Sequence, residues 1–275
     1  MNEVVAIIGL RGLGIACARR LGAGRTLVLG DLNPETLRSI AETLAAEGHK
    51  VVAQQVDVTD VASVEAFAAK AAGAGRLLSL VLAAGLSPHM GTPEKIFAVN
   101  MIGTISVLDA FLPLAEKGTV AVVIASNAGY LAPVPASTER KLALDPPETL
   151  MAAVSEVEGW DNGLGAYWLS KRANQVRIEA AAPVWGKRGA RIVSVSPGIM
   201  ATPMSAFERD AGSQISEAIA NAPAARIGLP DDIAAAVAWL VGPEASFVTG
   251  TDFLIDGGMT SALKWTCFET QNPAG

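Results

Sequence analysis

The sequence predicts a single α/β domain in which a doubly wound, seven-stranded parallel sheet carries helices on both faces. The chain has 275 residues, a length that suits one large α/β domain. Apolar residues make up 51% of the chain and aromatic residues 5%, which is the composition of helices packed on a buried parallel sheet. Short apolar runs also alternate with longer helical patterns, as they do in successive strand–helix–strand units.

Seven apolar runs have the length and residue types of buried strands. They are Val4–Ile8, Thr26–Gly30, Lys50–Val56, Leu77–Ala83, Thr119–Ala125, Arg191–Val195 and Asp252–Ile255. The stretches with helical periodicity are Gly12–Leu21, Pro34–Glu47, Val61–Ala72, Glu94–Leu114, Gly165–Trp185 and Pro230–Leu240. Because helices cover both faces of such a sheet, we expect ligands to bind beyond the carboxyl ends of the strands.

Two long segments interrupt this alternation. Residues 131–163, rich in Pro, Glu and Ala, separate the fifth strand from the next helix, and Pro146–Val157 within them suits a short helix. Residues 198–228 follow the sixth strand. Connections this long usually cover a functional site, so we expect an insertion at 131–163 and a substrate loop at 198–228. The domain then spans residues 1–263, and the tail 264–275 either folds over a neighbouring site or frays.

The composition argues against several classes of partner. A formal net charge of −6 without a basic cluster disfavours nucleic acid and anionic membranes. No run reaches the roughly eighteen apolar residues of a membrane helix, and the acidic start is unlike a signal peptide. Cys17 and Cys267 have neither metal-ligand nor disulfide spacing. We therefore expect no metal site and a reducing, cytoplasmic environment.

The first strand ends in a glycine-rich turn that opens the first helix. Glycines at such a turn let backbone amides approach a pyrophosphate at the positive end of the helix. An ordinary tight turn is the alternative, but the place of this turn in the chain favours a dinucleotide site. The expected cofactor contacts are Gly9, Arg11, Gly12, Leu13 and Gly14.

An acidic residue, Asp31, ends the second strand and is followed by Leu32. A carboxylate at this place can accept a hydrogen bond from the ribose 2′-hydroxyl of the cofactor. The same charge would repel a 2′-phosphate, so Asp31 favours NAD over NADP. A helix-capping or turn role before Asn33-Pro34 is the alternative for Asp31, and Arg11 in the glycine turn keeps NADP open as the cofactor.

The next two strands end in residues that can line the same cofactor. Asp57-Val58 closes the third strand, where Asp57 can hold the adenine amino group. Ala83-Ala84-Gly85 closes the fourth strand. Its small side chains allow the backbone to pass close to the cofactor.

A tyrosine and a lysine begin the helix that follows the insertion. Tyr167 and Lys171 are four positions apart, which places them on one helix face, one turn from each other. An ammonium group near a phenol lowers the phenol pKa from about 10, so that tyrosine can exchange a proton with a substrate oxygen. In isolation this pair is common on surface helices, but its place after a glycine turn and a fifth strand favours catalysis.

Together these features resemble the short-chain dehydrogenase/reductase family over roughly Val4–Gly258. The shared motifs are Tyr167 with Lys171, Asn100 in Val99–Gly103, Ser126 in Ser126–Gly129, Ser196-Pro197-Gly198 with Thr202, Gly228–Ala234, Val248–Gly250 and Asp256–Gly258. The resemblance implies a Rossmann fold and an NAD(P)-dependent oxidoreductase that interconverts a secondary alcohol and a ketone by hydride transfer.

The resemblance also implies a role for each motif residue. Ser126 would bind the substrate oxygen and help to orient Tyr167, while Lys171 would also bind the nicotinamide ribose. Asn100 would hold a water that relays protons to Lys171. Thr202 and the neighbouring backbone would hold the nicotinamide carboxamide. That backbone comprises Pro197, Gly198 and Ile199.

The sequence departs from the family pattern in three places. The glycine turn is one residue shorter than usual and is preceded by Ile8 instead of Thr, and Val193 replaces a usual Asn. The largest departure is the 41 positions that separate Ser126 from Tyr167. An insertion at this place resembles the bacterial 3α-hydroxysteroid dehydrogenase/carbonyl reductase subgroup. Further likeness to that subgroup lies in Ala84–Leu86, Asp109–Pro113 and Ala182–Gly186.

The subgroup implies a bulky apolar or steroid-like ketone or alcohol as substrate. Beside Ser126 and Tyr167, the expected substrate contacts are Tyr130, Met200 and Met204, with ordinary packing as the alternative for each of these three. In many family members the Tyr-bearing helix and the preceding long helix form a tetramer interface. An insertion at this place could cover those helices, so we expect a homodimer or an altered assembly, with a homotetramer as the other candidate.

Other functions remain as alternatives. A non-catalytic dinucleotide-sensing or scaffold protein would have no need of Tyr167, Lys171 and Ser126 together. An enoyl reductase would place its tyrosine seven residues before the lysine, where this chain has Leu164. A sugar-nucleotide epimerase would need a longer C-terminal part.

Overall fold

A computed structural model describes residues 2–202, 217 and 219–271 of the chain. Seven strands form one parallel sheet in the order β3-β2-β1-β4-β5-β6-β7, which confirms the predicted fold class. The strands are Glu3–Ile8 (β1), Thr26–Asp31 (β2), Lys50–Gln55 (β3), Arg76–Leu82 (β4), Val120–Ile124 (β5), Arg191–Pro197 (β6) and Asp252–Ile255 (β7). Each predicted strand is present.

The helices alternate with these strands and cover both faces of the sheet. They are Leu13–Leu21 (α1), Pro34–Ala46 (α2), Val61–Ala74 (α3), Pro93–Phe97 (α4), Gly103–Phe111 (α5), Ala136–Leu144 (α6), Pro147–Ser155 (α7), Gly163–Gly186 (α8), Pro230–Val241 (α9) and Met259–Gln271 (α10). α10 continues through the predicted boundary between Leu263 and Lys264, and the division into domain and tail stays a prediction.

The strand order places a crevice beside β1. β1 pairs with β2 on one side and with β4 on the other. The connections from β1 and from β4 run toward opposite edges of the sheet, so the loops that follow these two strands diverge. This divergence opens a ligand crevice at the carboxyl ends of the strands.

Two apolar cores sandwich the sheet. On one face Phe67 and Phe111 lie with their ring centroids 6.1 Å apart, in a cluster that also contains Trp185. On the other face α1 and α9 pack on the sheet, and Cys17 is fully buried there. Burial raises the pKa of the Cys17 thiol to about 12, so this thiol is unreactive at neutral pH.

The stretch predicted as one helix from Glu94 to Leu114 is interrupted. α4 continues through a π-helical turn, Ala98–Ile102, into α5, and a 3-10 turn, Leu112–Leu114, follows. By length and composition Pro93–Leu114 is able to cross a membrane, but 56% of its most apolar window is buried inside the domain. Packing against α3 and α8 accounts for this apolar composition.

The insertion folds into two helices, α6 and α7, of which the sequence anticipated only α7. Leu142, Leu150 and Val154 of the insertion form a third apolar cluster with residues of α4, α5 and α8. The insertion therefore covers part of the helix that carries Tyr167.

Candidate active site

The predicted cofactor and catalytic residues meet at the carboxyl edge of the sheet. The glycine turn follows β1, Asp31 ends β2, Ser126 follows β5, and α8 brings Tyr167 and Lys171 to the same edge. This convergence follows from the parallel sheet, in which all strands end on one side.

The glycine turn is shaped by the absence of side chains. Gly9 and Gly12 have φ angles of +90° and +56°, which residues other than glycine rarely adopt. A Cβ at Gly14 would collide with the carbonyl oxygen of Gly9, and one at Gly12 would lie 2.7 Å from Cγ2 of Thr202. The turn leads directly into α1 at Leu13, so its shape and polarity fit a pyrophosphate at a helix N-terminus.

Asp31 stabilises the turn before α2, whereas the helix itself is capped by the side chain of Asn33. Oδ2 of Asp31 accepts a hydrogen bond of 2.9 Å from the amide of Leu10, and its Oδ1 accepts one of 2.9 Å from the amide of Asn33. Each carboxylate oxygen has a second lone pair, so the carboxylate can still bind a ribose. Leu32, next to it, is 59% exposed.

Arg11 lies in the glycine turn that contacts Asp31, at the same edge of the sheet. Its guanidinium donates a 3.3 Å hydrogen bond to the hydroxyl of Thr36 in the first turn of α2. Asp31 and Arg11 therefore offer opposite charges near the place expected for the adenosine ribose.

The residues predicted after β3 are held in their own loop. Oδ1 of Asp57 accepts hydrogen bonds from the amide (2.9 Å) and the hydroxyl (2.7 Å) of Thr59. Val58 is buried, and a Cβ at Gly103 would lie 2.6 Å from its Cγ2. Contact of Asp57 with adenine stays a prediction.

The residues predicted after β4 lie against α8, the helix that carries Tyr167 and Lys171. The amide of Ala83 donates a 2.8 Å hydrogen bond to the carbonyl of Ile8, and the backbone of Ala84 leaves no room for a Cβ at Gly9. A Cβ at Gly85 would lie 3.5 Å from Nζ of Lys171. The β4 loop thus connects the glycine turn to the lysine.

Lys171 is a buried cation beside an aromatic ring. Its side chain is 6% exposed, its Nζ lies 5.7 Å from the centroid of the Tyr167 ring, and it donates a 3.1 Å hydrogen bond to the carbonyl of Ile124. Burial lowers the pKa of Lys171 to about 8. The ammonium form still predominates at neutral pH and lowers the energy of a nearby phenolate.

Asn100 occupies the π-helical turn and clamps the β4 loop. Its Oδ1 accepts a 2.7 Å hydrogen bond from the amide of Leu86, and its Nδ2 donates to the carbonyl of Leu86 (3.0 Å) and the hydroxyl of Ser170 (3.1 Å). Ser170 was not predicted, although a serine one turn after Tyr167 on a buried helix face was a usable signal. The water-holding role of Asn100 stays a prediction.

Ser126 lies directly before a 3-10 turn, Asn127–Tyr130, that follows β5. Its side chain is largely buried, and its Oγ accepts a 3.2 Å hydrogen bond from the amide of Ala128. The Ser126 hydroxyl reaches Oδ1 of Asn127 only at 3.5 Å. Because that contact is long, the hydroxyl proton can turn to a substrate oxygen instead.

Tyr130, predicted to contact substrate, uses its hydroxyl elsewhere. The hydroxyl donates a 2.8 Å hydrogen bond to Oδ2 of Asp252 on β7. Burial, with a smaller contribution from Asp252, raises the pKa of Tyr130. What remains for a substrate is the ring of Tyr130 rather than its hydroxyl.

The segment that follows β6 lies across the ligand crevice from the glycine turn. The amide of Gly198 donates a 3.0 Å hydrogen bond to the carbonyl of Ile255, and the carbonyl of Ile199 accepts one of 3.0 Å from the amide of Gly228. Pro197 is the last residue of β6. Thr202 lies against Gly12, and its contact with the nicotinamide stays a prediction.

The two methionines predicted to contact substrate have different outcomes. Met200 is 7% exposed and belongs to the apolar core on the α1 and α9 face of the sheet. A Cβ at Gly228 would lie 2.6 Å from its sulfur, which agrees with packing, the alternative considered for Met200, and its contact with a substrate stays a prediction. Met204 lies outside the described residues. Within the described part of the chain, no group of three His, Cys, Asp or Glu residues is arranged to hold a metal ion.

Comparison with protein families matches two parts of the chain. Residues 3–138 match the family described as "short chain dehydrogenase". Residues 149–260 match the family described as "Enoyl-(Acyl carrier protein) reductase".

Two curated relatives are similar over nearly their whole length. The "Short-chain dehydrogenase/reductase bsc3" of Alternaria brassicicola is 38% identical over 267 residues, which cover 96% of this chain and 97% of the relative. The "3-alpha-hydroxysteroid dehydrogenase/carbonyl reductase" of Comamonas testosteroni is 33% identical over 275 residues, which cover 97% and 100%.

Solved structures show the same fold. A "Short-chain dehydrogenase/reductase SDR:Glucose/ribitol dehydrogenase" from Brucella melitensis superimposes with a TM-score of 0.76 at 25% identity, covering 94% of this chain and 96% of that one. The similarity of fold therefore covers nearly the whole of both chains.

Proposed function

The chain belongs to the short-chain dehydrogenase/reductase family, and from this premise we propose that it interconverts a secondary alcohol and a ketone with NAD. The observation that carries the proposal is the buried Lys171 ammonium, 5.7 Å from the Tyr167 ring centroid and beside the loop that meets the glycine turn. This pair is suited to exchanging a proton with the oxygen of a substrate.

The glycine turn, Asp31 and Thr202 fit a dinucleotide, and a bound nicotinamide would supply or accept the hydride. The residues of this chain handle the proton. Tyr167 gives its phenolic proton to the oxygen of a ketone as it becomes an alcohol, and takes it back in the reverse direction. The positive charge of Lys171 lowers the energy of a phenolate relative to the neutral phenol. Ser126 donates a hydrogen bond to the same oxygen and holds it against Tyr167.

The preference for NAD rests on Asp31. Its carboxylate is fixed by two backbone amides at 2.9 Å each and can accept hydrogen bonds from a ribose 2′-hydroxyl. A 2′-phosphate at this place would meet a like charge. Arg11, held by a single 3.3 Å contact on an exposed side chain, provides weaker compensation for NADP, which remains the second candidate cofactor.

A bulky apolar or steroid-like substrate is supported by the insertion and by the relative from Comamonas testosteroni, whose name includes 3-alpha-hydroxysteroid. Apolar side chains of the insertion cover α8, and an apolar cleft lies beside the start of that helix. Its lining includes Pro133, Val157, Leu164 and Trp168, together with the polar side chains of Glu158 and Asn162.

The exposed apolar edge of the sheet supports a homodimer. Trp239 on α9, Phe247 in the connection before β7, and Leu254 on β7 are exposed by 44%, 102% and 36% respectively, and β7 is an edge strand. Such an edge is a ready surface for a second copy. The insertion meanwhile covers part of α5 and α8, so a homotetramer through those helices is disfavoured. We place the protein in the cytoplasm, where the buried thiol of Cys17 stays reduced.

The first test is a titration of the purified protein with NADH and with NADPH, followed by quenching of tryptophan fluorescence. Tighter binding of NADH is expected, with turnover of hydroxysteroids or other bulky secondary alcohols when NAD is supplied. Tighter binding of NADPH would assign the ribose end to Arg11 instead. If neither cofactor bound, the dehydrogenase proposal would fail and a scaffold role would take its place.

An enoyl reductase is the second candidate activity, because residues 149–260 match a family of that description. Against it, the tyrosine of such enzymes would stand where this chain has Leu164, which is 49% exposed at the start of α8. Turnover of an enoyl thioester, with no turnover of any ketone or secondary alcohol, would favour this candidate.

A further inference from the structure

We propose that Gln175 is a positioning residue for Ser126, and that the insertion holds Gln175 in place through Arg172. The assignment rests on the proposed function, since it gives Ser126 a part in the reaction. Gln175 lies on α8, two turns after Tyr167, and is 1% exposed. No sequence motif marks it.

The amide of Gln175 bridges the catalytic helix and the Ser126 turn. Its Nε2 donates hydrogen bonds to the carbonyl oxygen of Ser126 (3.2 Å) and to the hydroxyl of Ser196 on β6 (2.9 Å). The carbonyl of Ser126 also accepts a 3.1 Å hydrogen bond from the amide of Gly129. The residue that carries the catalytic hydroxyl is thus fixed from the same helix that carries Tyr167.

The amide of Gln175 can approach the carbonyl of Ser126 closely only because the turn has a glycine at position 129. A Cβ at Gly129 would lie 2.8 Å from the amide carbon, nitrogen and oxygen of Gln175. Any side chain there would displace the amide from the carbonyl of Ser126. The turn and Gln175 therefore form one packed unit.

The orientation of the Gln175 amide is set by an arginine. The guanidinium of Arg172 donates a 3.1 Å hydrogen bond to Oε1 of Gln175, and a guanidinium can only donate. Oε1 must therefore face Arg172, which leaves Nε2 toward the Ser126 carbonyl, an acceptor only. The two neighbours require the same orientation of the amide.

The insertion supplies the charge that holds this arginine. Nε of Arg172 donates a 2.6 Å hydrogen bond to Oε1 of Glu139 on α6, and the two side chains are 26% and 30% exposed. A partly buried, charge-assisted contact restricts an arginine more than an exposed pair does. Glu139, Arg172 and Gln175 therefore connect the insertion to the catalytic serine.

The test is a double-mutant cycle on kcat. Gln175→Met is expected to lower kcat about 10-fold, with KM and the cofactor Kd changed less than about 3-fold. If Gln175 acts through Ser126, adding Gln175→Met to Ser126→Ala should lower kcat by less than about 2-fold more. A full further loss in the double variant, about 10-fold, would mean that Gln175 acts independently and would overturn the proposal.

A second measurement does not depend on turnover. Hydrogen exchange of the amides in the 127–131 turn should accelerate in Gln175→Met and in Gln175→Glu, which keeps the side-chain size and loses the donor to the Ser126 carbonyl. Unchanged exchange in both variants would overturn the proposal. If the wild type reduced no ketone while exchange still accelerated, the proposed function would fail and the bridge from Gln175 would stand.

The matched control is the neighbouring residue. Asn174 is also 1% exposed on α8, and its Oδ1 has no hydrogen-bond partner within the described part of the chain. Asn174→Leu should leave kcat and turn exchange unchanged, because the amide it removes is not the one that holds the Ser126 carbonyl. Glu139→Gln should reproduce the effect of Gln175→Met on exchange in weaker form. Equal acceleration in Asn174→Leu would show a general loosening of α8 and overturn the assignment to Gln175.

Discussion

Charged residues have opposite environments at the two ends of the strands, which are the amino edge and the carboxyl edge of the sheet. At the amino edge, Glu3 accepts hydrogen bonds from Arg76 (2.6 Å) and Arg25 (3.3 Å), and all three side chains are partly exposed. At the carboxyl edge, Lys171 is buried and its Nζ contacts a neutral carbonyl. Paired surface charges cost little and contribute little, whereas a buried cation costs stability and changes the chemistry of its neighbours. The difference separates an edge with a structural role from the edge at which we propose that the reaction takes place, here called the reactive edge.

The largest expected effect comes from the reactive edge. Tyr167→Phe removes the proton donor and should lower kcat/KM about 10³-fold. The melting temperature and the NADH Kd should stay close to those of the wild type, because the ring and its packing remain. Steady-state kinetics and a fluorescence titration check this, and a variant that retains near-wild-type turnover would remove Tyr167 from the mechanism.

Lys171→Met should lower activity and raise stability, and this opposite response sharpens the comparison of the two edges. Turnover should fall about 10²-fold, while the melting temperature of the apoprotein should rise by roughly 2–4 °C as a buried charge is removed. Thermal unfolding without cofactor measures the shift. A clear fall in melting temperature would contradict the contrast drawn between the two edges.

The difference in stability between Lys171→Met and the wild type should depend on pH, in a direction that follows from the pKa of Lys171. The folded pKa of Lys171 is about 8, below its ordinary value of 10.5, so the unfolded chain binds more protons between these values. Wild-type stability therefore gains from this group as pH rises through that window. The advantage of Lys171→Met should be full below pH 8 and shrink toward pH 10.5.

Asp31→Asn tests whether the Asp31 carboxylate determines the preference for NADH over NADPH. Removing the charge should weaken NADH binding and strengthen NADPH binding, shifting the ratio of the two Kd values about 10-fold. The carboxamide oxygen can still accept one backbone amide, so the fold should persist. Arg11→Gln is the control of opposite sign, since it should weaken NADPH alone, and an unchanged ratio in Asp31→Asn would leave Asp31 a purely structural residue.

The smallest effect is expected at the amino edge. Glu3→Gln should lower stability by less than about 1 kcal/mol and leave kcat/KM unchanged. The hydrogen bond from Arg76 is the main reason that the pKa of Glu3 is lowered from 4.5. Its contribution is therefore present above pH 4.5 and lost as pH falls through the lower folded value. Acid unfolding should show this loss in the wild type and not in the variant.

Most of the sheet and the outline of the site were predictable because their signals are local. Each apolar run ends in its own turn residues, and the spacing of Tyr167 and Lys171 fixes their helix face. α6 was not predictable, because Leu142 and Thr138 alone are buried on a polar helix. The apolar stripe that marks a helix is too sparse there.

Contacts between residues that lie far apart in the sequence were also not predictable. Met200 stands in a loop near Thr202, which favours a pocket residue, but its strand-like bridge to Gly228 places it in the core. Gln175 contacts residues 49 and 21 positions away. A single sequence carries no sign of contacts at such separations.

The polar network behind Ser126 also has a consequence for the order of folding. Within this network, Tyr130 and Asp252 are 122 positions apart. The hydroxyls of Ser194 and Ser196 both donate to the same Asp252 carboxylate. Such contacts can close only after β5, β6 and β7 have paired, and non-local contacts form late. On heating, the geometry around Ser126 should open before the sheet does, so activity should be lost below the temperature at which the chain unfolds.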